Sequence, residues 1–184
     1  MINSLYDFCR SWSARGSVYI LSDTHFDDPD TKLMDENWIS PKEQLDILKK
    51  FIHKCDTFIH LGDVGNPEYL KSLPGHKVLI LGNHDESRKR FENYFDEIYT
   101  GPLIISKKII LSHEPVDVPW AFNIHGHDHN RRNTGDDLHL NLAANVCGYT
   151  PVNLGMLIKN GLVANVKSIH RLTIDDAREN GALK

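Results

Sequence analysis

The sequence predicts an α/β protein in which two sheets pack face to face with helices on the outside. Three observations lead there. The first half of the chain alternates apolar, β-branched runs with stretches of helical pattern. The second half, after Gly101, is a succession of short strand-like runs. Five of the apolar runs end in one small residue followed at once by a polar residue of metal-ligand type. That pattern is expected where the carboxyl ends of strands gather around a ligand site.

In chain order, residues 1–16 read as an extension or short helix ahead of the core. SVYILS (17–22) is a β-branched, apolar run suited to a buried strand. The acidic stretch DDPD at 27–30 reads as a solvated loop. Ser40-Pro41-Lys42-Glu43 is a capping box with Pro at the first helical position. The helix it starts carries Leu45, Leu48, Phe51 and Ile52 on one face. TFIHLG (57–62) and HKVLILG (76–82) are further strands, with a short helix expected over 67–72 between them. Helical composition runs from Glu86 to Tyr94. LIISKKIILS, FNIHG, HLNLAA, VNLGMLIK and LVANVKSIH read as consecutive strands, the last two joined by a Lys159-Asn160-Gly161 hairpin turn. No repeat and no linker interrupts the 184 residues, so a single domain is expected.

Composition narrows the function classes. With 40% hydrophobic and 25% charged residues the chain can bury a core without disulfides or structural metals. Its net charge of −4 provides no basic excess for coating a nucleic-acid polymer, so such a polymer is not expected as its main partner. The three cysteines, Cys9, Cys55 and Cys147, are widely spaced and form no thiolate zinc motif. The first residues lack the continuous apolar core of a signal peptide, and no apolar run reaches the ~20 residues of a membrane span. A cytoplasmic protein with no membrane partner is the expectation. The unusual component is histidine, of which there are 11.

Those histidines concentrate at the strand ends. VYILS is followed by Asp23-Thr24-His25, FIHLG by Asp63, VLILG by Asn83-His84-Asp85, IILS by His113, and FNIHG by His127-Asp128-His129. The residue before each is Ser22, Gly62, Gly82, Ser112 or Gly126, small enough for backbone and donors to approach closely. The donors Asp, His, Asp, Asn, His, His and His are a mixed oxygen and nitrogen set without sulfur. Such a set suits Mn²⁺ first, with Fe, Zn²⁺ or Ni²⁺ as alternatives. Seven donors exceed what one tetrahedral ion takes and fit two divalent metal ions sharing a carboxylate. His60 and His125, inside strand runs, read as buried residues, and the Arg131-Arg132 pair as a solvated turn.

The series D-x-H, G-D, G-N-H-D, H, G-H-x-H resembles the calcineurin-like metallophosphoesterase superfamily, in particular its compact bacterial and phage phosphoesterases. The match runs from residue 17 to residue 129. The resemblance implies a four-layer αββα sandwich of two mixed sheets flanked by helices. It implies one metal held by Asp23, His25, Asp63 and His129, and a second by Asp63, Asn83, His113 and His127, with Asp63 bridging. His84 would be the catalytic histidine that protonates the leaving group. Asp85 would orient it, or cap a helix that starts at Glu86. The implied activity is hydrolysis of a small phosphomonoester or phosphodiester by a dinuclear centre and a bridging hydroxide. At the first motif the chain departs from many relatives. Phe26-Asp27-Asp28 stands where they carry Gly or Gly-His, so a histidine on the substrate side is absent.

Two other functions are weighed against this one. A non-catalytic binding module on the same fold, like the retromer subunit that lost its catalytic histidine, is opposed by His84 and the full donor set. A nuclease like the superfamily's break-repair enzymes is opposed by the lack of both a DNA-holding domain and a basic excess.

Overall fold

A computed structural model describes residues 11–14, 16–130 and 136–167. Most of the 1–16 extension, Arg131, Arg132 and the end of the last expected strand lie outside the described residues.

The first sheet contains β1 (Val18–Leu21), β2 (Thr57–His60), β3 (His76–Ile80), β4 (Glu97–Tyr99) and β9 (Val152–Asn153), in the order β4-β3-β2-β1-β9. Its strands run parallel except β9, which is antiparallel to β1. The second sheet has the order β5-β6-β7-β8, with β5 (Leu103–Ser106), β6 (Ile109–Leu111), β7 (Phe122–His125) and β8 (His139–Asn141). Only the β5–β6 pair is antiparallel, so both sheets are mixed. The architecture is the expected one, two mixed sheets with helices in an α/β protein.

Side-chain alternation assigns the faces. Val18, Ile20, Ile59, Leu61, Val78 and Ile80 meet Ile109, Leu111, Phe122 and Ile124 of the other sheet in one buried core. Leu21, Phe58, Leu79 and Ile98 point the other way and form a second core with Leu48, Ile52, Leu70 and Phe91. Leu48 belongs to helix α2 (Pro41–Phe51), and Ile52 caps its C-terminus. The capping box forms as expected, Ser40 Oγ accepting from Glu43 N and Glu43 Oε2 from Ser40 N. A single helical turn, α1 (Thr31–Met34), sits in the acidic loop ahead of it. On the outer face of the second sheet, Asn123 and His139 bind the backbone of Val116, so the 113–121 segment lies across that face.

Four local expectations change. The described part of LVANVKSIH, residues 162–167, forms turns and no strand. VNLGMLIK is a two-residue strand followed by helix α3 (Leu154–Lys159), because Asn153 Oδ1 caps Met156 N and Leu154, Leu157 and Ile158 share the face packed on the core. Asn160-Gly161 is therefore not a hairpin turn. Gly161 has φ +94°, its N–H bonds Ile158 O, and Leu162 N bonds Leu157 O, which is a Schellman C-cap. Between Glu86 and Tyr94 only a 3₁₀ turn, Arg88–Arg90, forms, and Phe91 and Phe95 then bury into the second core. The expected short helix at 67–72 is present as a 3₁₀ helix, Pro67–Ser72.

Strands β1, β2 and β3 share a direction, as do β6, β7 and β8, and the carboxyl ends of both sets converge. The 142–144 segment ties them. Leu142 N bonds His125 O while Ser22 N bonds Leu142 O and Ala144 N bonds Ser22 O. The stitched seam carries the candidate site.

Candidate metal centre

The residues that follow the strand ends turn sharply. Asp23 (φ 57°), His25 (φ 41°), Asp63 (φ 55°) and His127 (φ 69°) all lie in the left-handed region. That conformation costs a non-glycine residue ~1–3 kcal/mol and persists where surroundings over-determine it. Cross-ties hold it: Asp23 N bonds Gly62 O and His25 N bonds Asp63 O. Close approach requires two glycines. A Cβ on Gly82 would stand 2.2 Å from Asp63 Oδ1, and one on Gly126 would stand 2.2 Å from Asp23 Oδ2.

The structure gathers the seven expected donors into two adjoining groups. In the first, His25 Nε2 and His129 Nε2 lie 3.9 and 3.7 Å from Asp23 Oδ1. In the second, His113 Nε2 lies 3.3 Å from Asp63 Oδ2, and Asn83 Oδ1 is 2.8 Å from His113 Nε2 and 3.0 Å from His127 Nδ1. Asp63 Oδ2 also stands 3.7 Å from His25 Nε2, so it faces both groups. Asp23, His25 and His129 form one cluster able to hold a metal ion, and Asp63, His113 and His127 another.

A fit test comes from the buried polar atoms. Asp23 Oδ1 and His25 Nε2 have no hydrogen-bond partner although both residues are buried. Leaving such atoms unpaired costs ~1–3 kcal/mol or more each. Both point into the first group, where a cation would satisfy them, so the donor set fits a divalent ion. The opposite oxygens are occupied, Asp23 Oδ2 by His127 N–H and Asp63 Oδ1 by His84 N–H. Each carboxylate thus keeps one oxygen for the centre.

Three of the histidines are held from behind through Nδ1, by the Asp28 carboxylate for His25, the Asn145 amide oxygen for His129 and Leu61 O for His113. This leaves Nε2 turned inward, the usual means of fixing a ligand tautomer. His127 faces the group with Nδ1 instead. Asp28, Asn145 and Trp38, whose ring packs on His25 and His129 at 5.8 and 5.6 Å, are residues of the candidate site that sequence reasoning missed. Asp28 belongs to the loop read as solvated; its spacing of three from His25 was the only available signal. For Asn145 and Trp38 the sequence carries none.

Electrostatics follow from these contacts. Burial would raise the Asp63 carboxyl, but the His113 hydrogen bond and charge, with the His84 N–H, hold it at about 2. Burial would lower His113, but Asp63 and Asp23 raise it to about 8. His60 is fully buried, and desolvation takes it down to about 3. It is a neutral structural residue, bonded to Thr24 Oγ1 and Gly62 N.

His84 is exposed, its ring 5.6 Å from that of His25. Asp85 does not orient it. The buried Asp85 carboxylate accepts from the backbone N–H groups of Asp63, Val64 and Gly82 at 2.8, 3.1 and 2.9 Å. It does not cap a helix from Glu86 either, since the 3₁₀ turn starts after Ser87. Burial raises its pKa against these donors. A carboxylate beside three convergent N–H groups is drawn to them, and so it ties the Gly62-Asp63 turn to the Gly82-Asn83 turn.

Cavities open on both flanks. One of about 370 Å³ is lined by His25, Asp28, Lys32 and Trp38. Another of about 250 Å³ is lined by Asn83, His113, Pro102 and Val116. Among the described residues no helix is long and apolar enough to cross a membrane.

A solved protein of unknown function from Aquifex aeolicus, AQ665, aligns with a TM-score of 0.68 at 28% identity, over 78% of this chain and 98% of its own. A Pseudomonas putida nuclease, MPE, aligns with a TM-score of 0.45 at 20% identity, over 64% of this chain and 63% of its own. No curated protein matches the chain. The family description "calcineurin-like phosphoesterase superfamily domain" matches residues 17–166, which take in both sheets and every donor. The chain belongs to the calcineurin-like phosphoesterase superfamily.

Proposed function

We propose that this protein hydrolyses a small phosphomonoester or phosphodiester at a dinuclear metal centre, with Mn²⁺ as the ion its oxygen and nitrogen donors suit best. The superfamily is metal-dependent and its members are generally hydrolases of phosphoester bonds. Asp23, His25, Asp63 and His129 would hold one ion, and Asp63, Asn83, His113 and His127 the other. The observation that carries the reading is the position of Asp63 Oδ2, 3.7 Å from His25 Nε2 and 3.3 Å from His113 Nε2. A carboxylate oxygen between two imidazole nitrogens of separate clusters supports the reading of Asp63 as a shared ligand.

Two divalent ions, when bound, polarise the phosphoryl group and lower the pKa of water. The chain's own residues do the rest. Asn83 offers a neutral oxygen and so leaves positive charge uncancelled for an anionic substrate. The exposed His84 imidazole is free to reach the leaving oxygen and donate a proton to it, a contribution of ~10²–10⁴-fold on a poor leaving group. Its backbone N–H, on Asp63 Oδ1, keeps the shared carboxylate turned toward the clusters. Asp27, Asp28 and Glu43 border the larger cavity and oppose a long polyanion there.

The test is a set of phosphomonoesters and phosphodiesters assayed with several divalent metals. His84→Gln should retain metal and lose at least tenfold (~10-fold) in turnover on an alkyl ester. Normal turnover by that variant would remove His84 from the chemistry. No turnover of any ester by the metal-loaded protein would refute the hydrolase reading.

A further inference from the structure

The two cavities beside the centre differ in chemistry. The larger, on the His25 flank, is bordered by the carboxylates of Asp27, Asp28 and Glu43. In the smaller, of about 250 Å³, Asn83 and His113 of the second cluster share the lining with Leu81, Pro102, Pro115 and Val116. Among the described residues that line it, the one carboxylate, Glu114, is exposed.

The smaller cavity is preformed. Its two prolines have a fixed φ and offer no N–H to a ligand. The Pro115-Val116 segment is pinned. Asn123 Oδ1 accepts from Val116 N at 2.8 Å, His139 Nε2 donates to Val116 O at 3.2 Å, and Ser112 Oγ donates to Glu114 O at 2.6 Å. At Gly101 the lining is bare, since a Cβ built there meets no atom within 4 Å. A rigid, mostly apolar cavity beside charged donors suits an uncharged organic group that gains by leaving water.

That group is not the one that leaves. His84, the proton donor of the proposed hydrolysis, stands on the other flank, its ring 5.6 Å from that of His25. His25 is bonded in turn to Asp28 of the larger cavity. The leaving oxygen belongs beside His84, which is not among the residues lining the smaller cavity. An ester with one organic arm fills one flank. Only a phosphodiester has a second arm for the other.

Resting on the hydrolase reading, we propose that the substrate is a phosphodiester and that the cavity at Gly101 holds its retained arm, an uncharged ring of aryl type. Water adds its hydroxyl to phosphorus, and the bond to the leaving oxygen breaks with its electron pair. That oxygen takes a proton from His84, and the water's second proton restores the imidazolium. The products are an alcohol and a monoester that keeps the ring. Gly101 is then a specificity-determining position, because a side chain there would take the space of the ring.

The experiment measures kcat/KM of the full-length, Mn²⁺-loaded protein on methyl p-nitrophenyl phosphate, bis(p-nitrophenyl) phosphate and the monoester p-nitrophenyl phosphate. The two diesters lose the same p-nitrophenolate and differ only in the retained arm. Comparing variant with parent cancels their difference in intrinsic reactivity. Gly101→Leu should lose at least ~10-fold more on the bis-aryl ester than on the methyl ester, mainly through KM. Val116→Phe should act in the same direction, and it serves as the test if Gly101→Leu fails to melt like the parent. Equal losses on the two diesters in both variants overturn the retained-arm cavity. A parent with higher kcat/KM on the monoester than on either diester overturns the diester assignment. Both of these results leave the hydrolase reading standing, whereas no turnover of any of the three esters refutes that reading itself.

Discussion

Replacing Asp85 by Asn separates two accounts of this residue. If Asp85 oriented the His84 imidazole, the substitution would slow turnover and leave stability alone. Its carboxylate instead serves three backbone donors, Asp63 N, Gly82 N and Val64 N. In Asp85→Asn the amide oxygen can take the position that accepts from Asp63 and Gly82. The amide NH₂ then faces the Val64 N–H, and one buried donor is left unsatisfied, at ~1–3 kcal/mol. Asp85→Ala strands all three and costs at least about 3 kcal/mol on the same basis. For a chain of this size each kcal/mol moves the melting point by ~2–4 °C, so Asp85→Asn should melt ~2–12 °C lower and Asp85→Ala lower still. The assay is thermal unfolding of metal-free protein, which removes metal loss as a cause. His84→Ala is the control; its side chain is exposed and should change stability by less than ~0.5 kcal/mol. An Asp85→Asn protein that melts with the parent and shares the turnover defect of His84→Gln would refute the backbone-tie account.

Three further outcomes are expected. Asp63→Asn should weaken metal binding at both clusters, and an intact two-ion stoichiometry by elemental analysis would contradict the shared carboxylate. Gly82→Ala drives a Cβ to 2.2 Å from Asp63 Oδ1 and 2.6 Å from Asp63 N, whereas a Cβ on Gly101 meets nothing within 4 Å. The first should destabilise by ~1–3 kcal/mol and impair metal binding, the second by less than ~0.5 kcal/mol, as read in denaturant melts. His113, with a pKa near 8 before metal binds, must release a proton to become a ligand, so affinity at its cluster should rise ~50-fold from pH 6 to pH 8 and level off above. The metal-free fold shows the opposite trend. Its raised pKa lends stability that is complete below the ordinary imidazole value of 6.5 and lost as pH rises through about 8. A metal affinity flat from pH 6 to pH 8 would count against His113 as a ligand.

The donors were legible because a rule of strand ends brings them out one by one. Each of Asp23, Asp63, Asn83, His113 and His127 follows a small residue that closes an apolar run, and the structure brings all of them to one seam. The errors arose where a local pattern has two physical solutions. Asn-Gly supplies a left-handed residue equally well to a hairpin turn and to a helix C-terminus, and only the packing of Leu154, Leu157 and Ile158 on the core selects the helix. Asp85 next to His84 invites a pairing, but three N–H groups from elements 21 or more residues away in two cases claim the carboxylate. The three-residue β4 strand carries too little pattern to be read before its neighbour β3 is in place.

By itself, then, the amino-acid sequence determined the α/β class, the strand ends and the kind of atom each would offer. Those depend on side-chain chemistry and on the period of two or 3.6 residues, both of which are local. Only the tertiary structure decided which oxygen of Asp63 faces both clusters, that Asp28 and Asn145 hold the histidines, and that one cluster is left unsatisfied while the other pairs with itself. Apart from the local Asp28–His25 pair, these are contacts between residues far apart in the chain, bent into left-handed turns that hydrogen bonds across the seam sustain. No local pattern encodes a distance between strands that meet only after both sheets have packed.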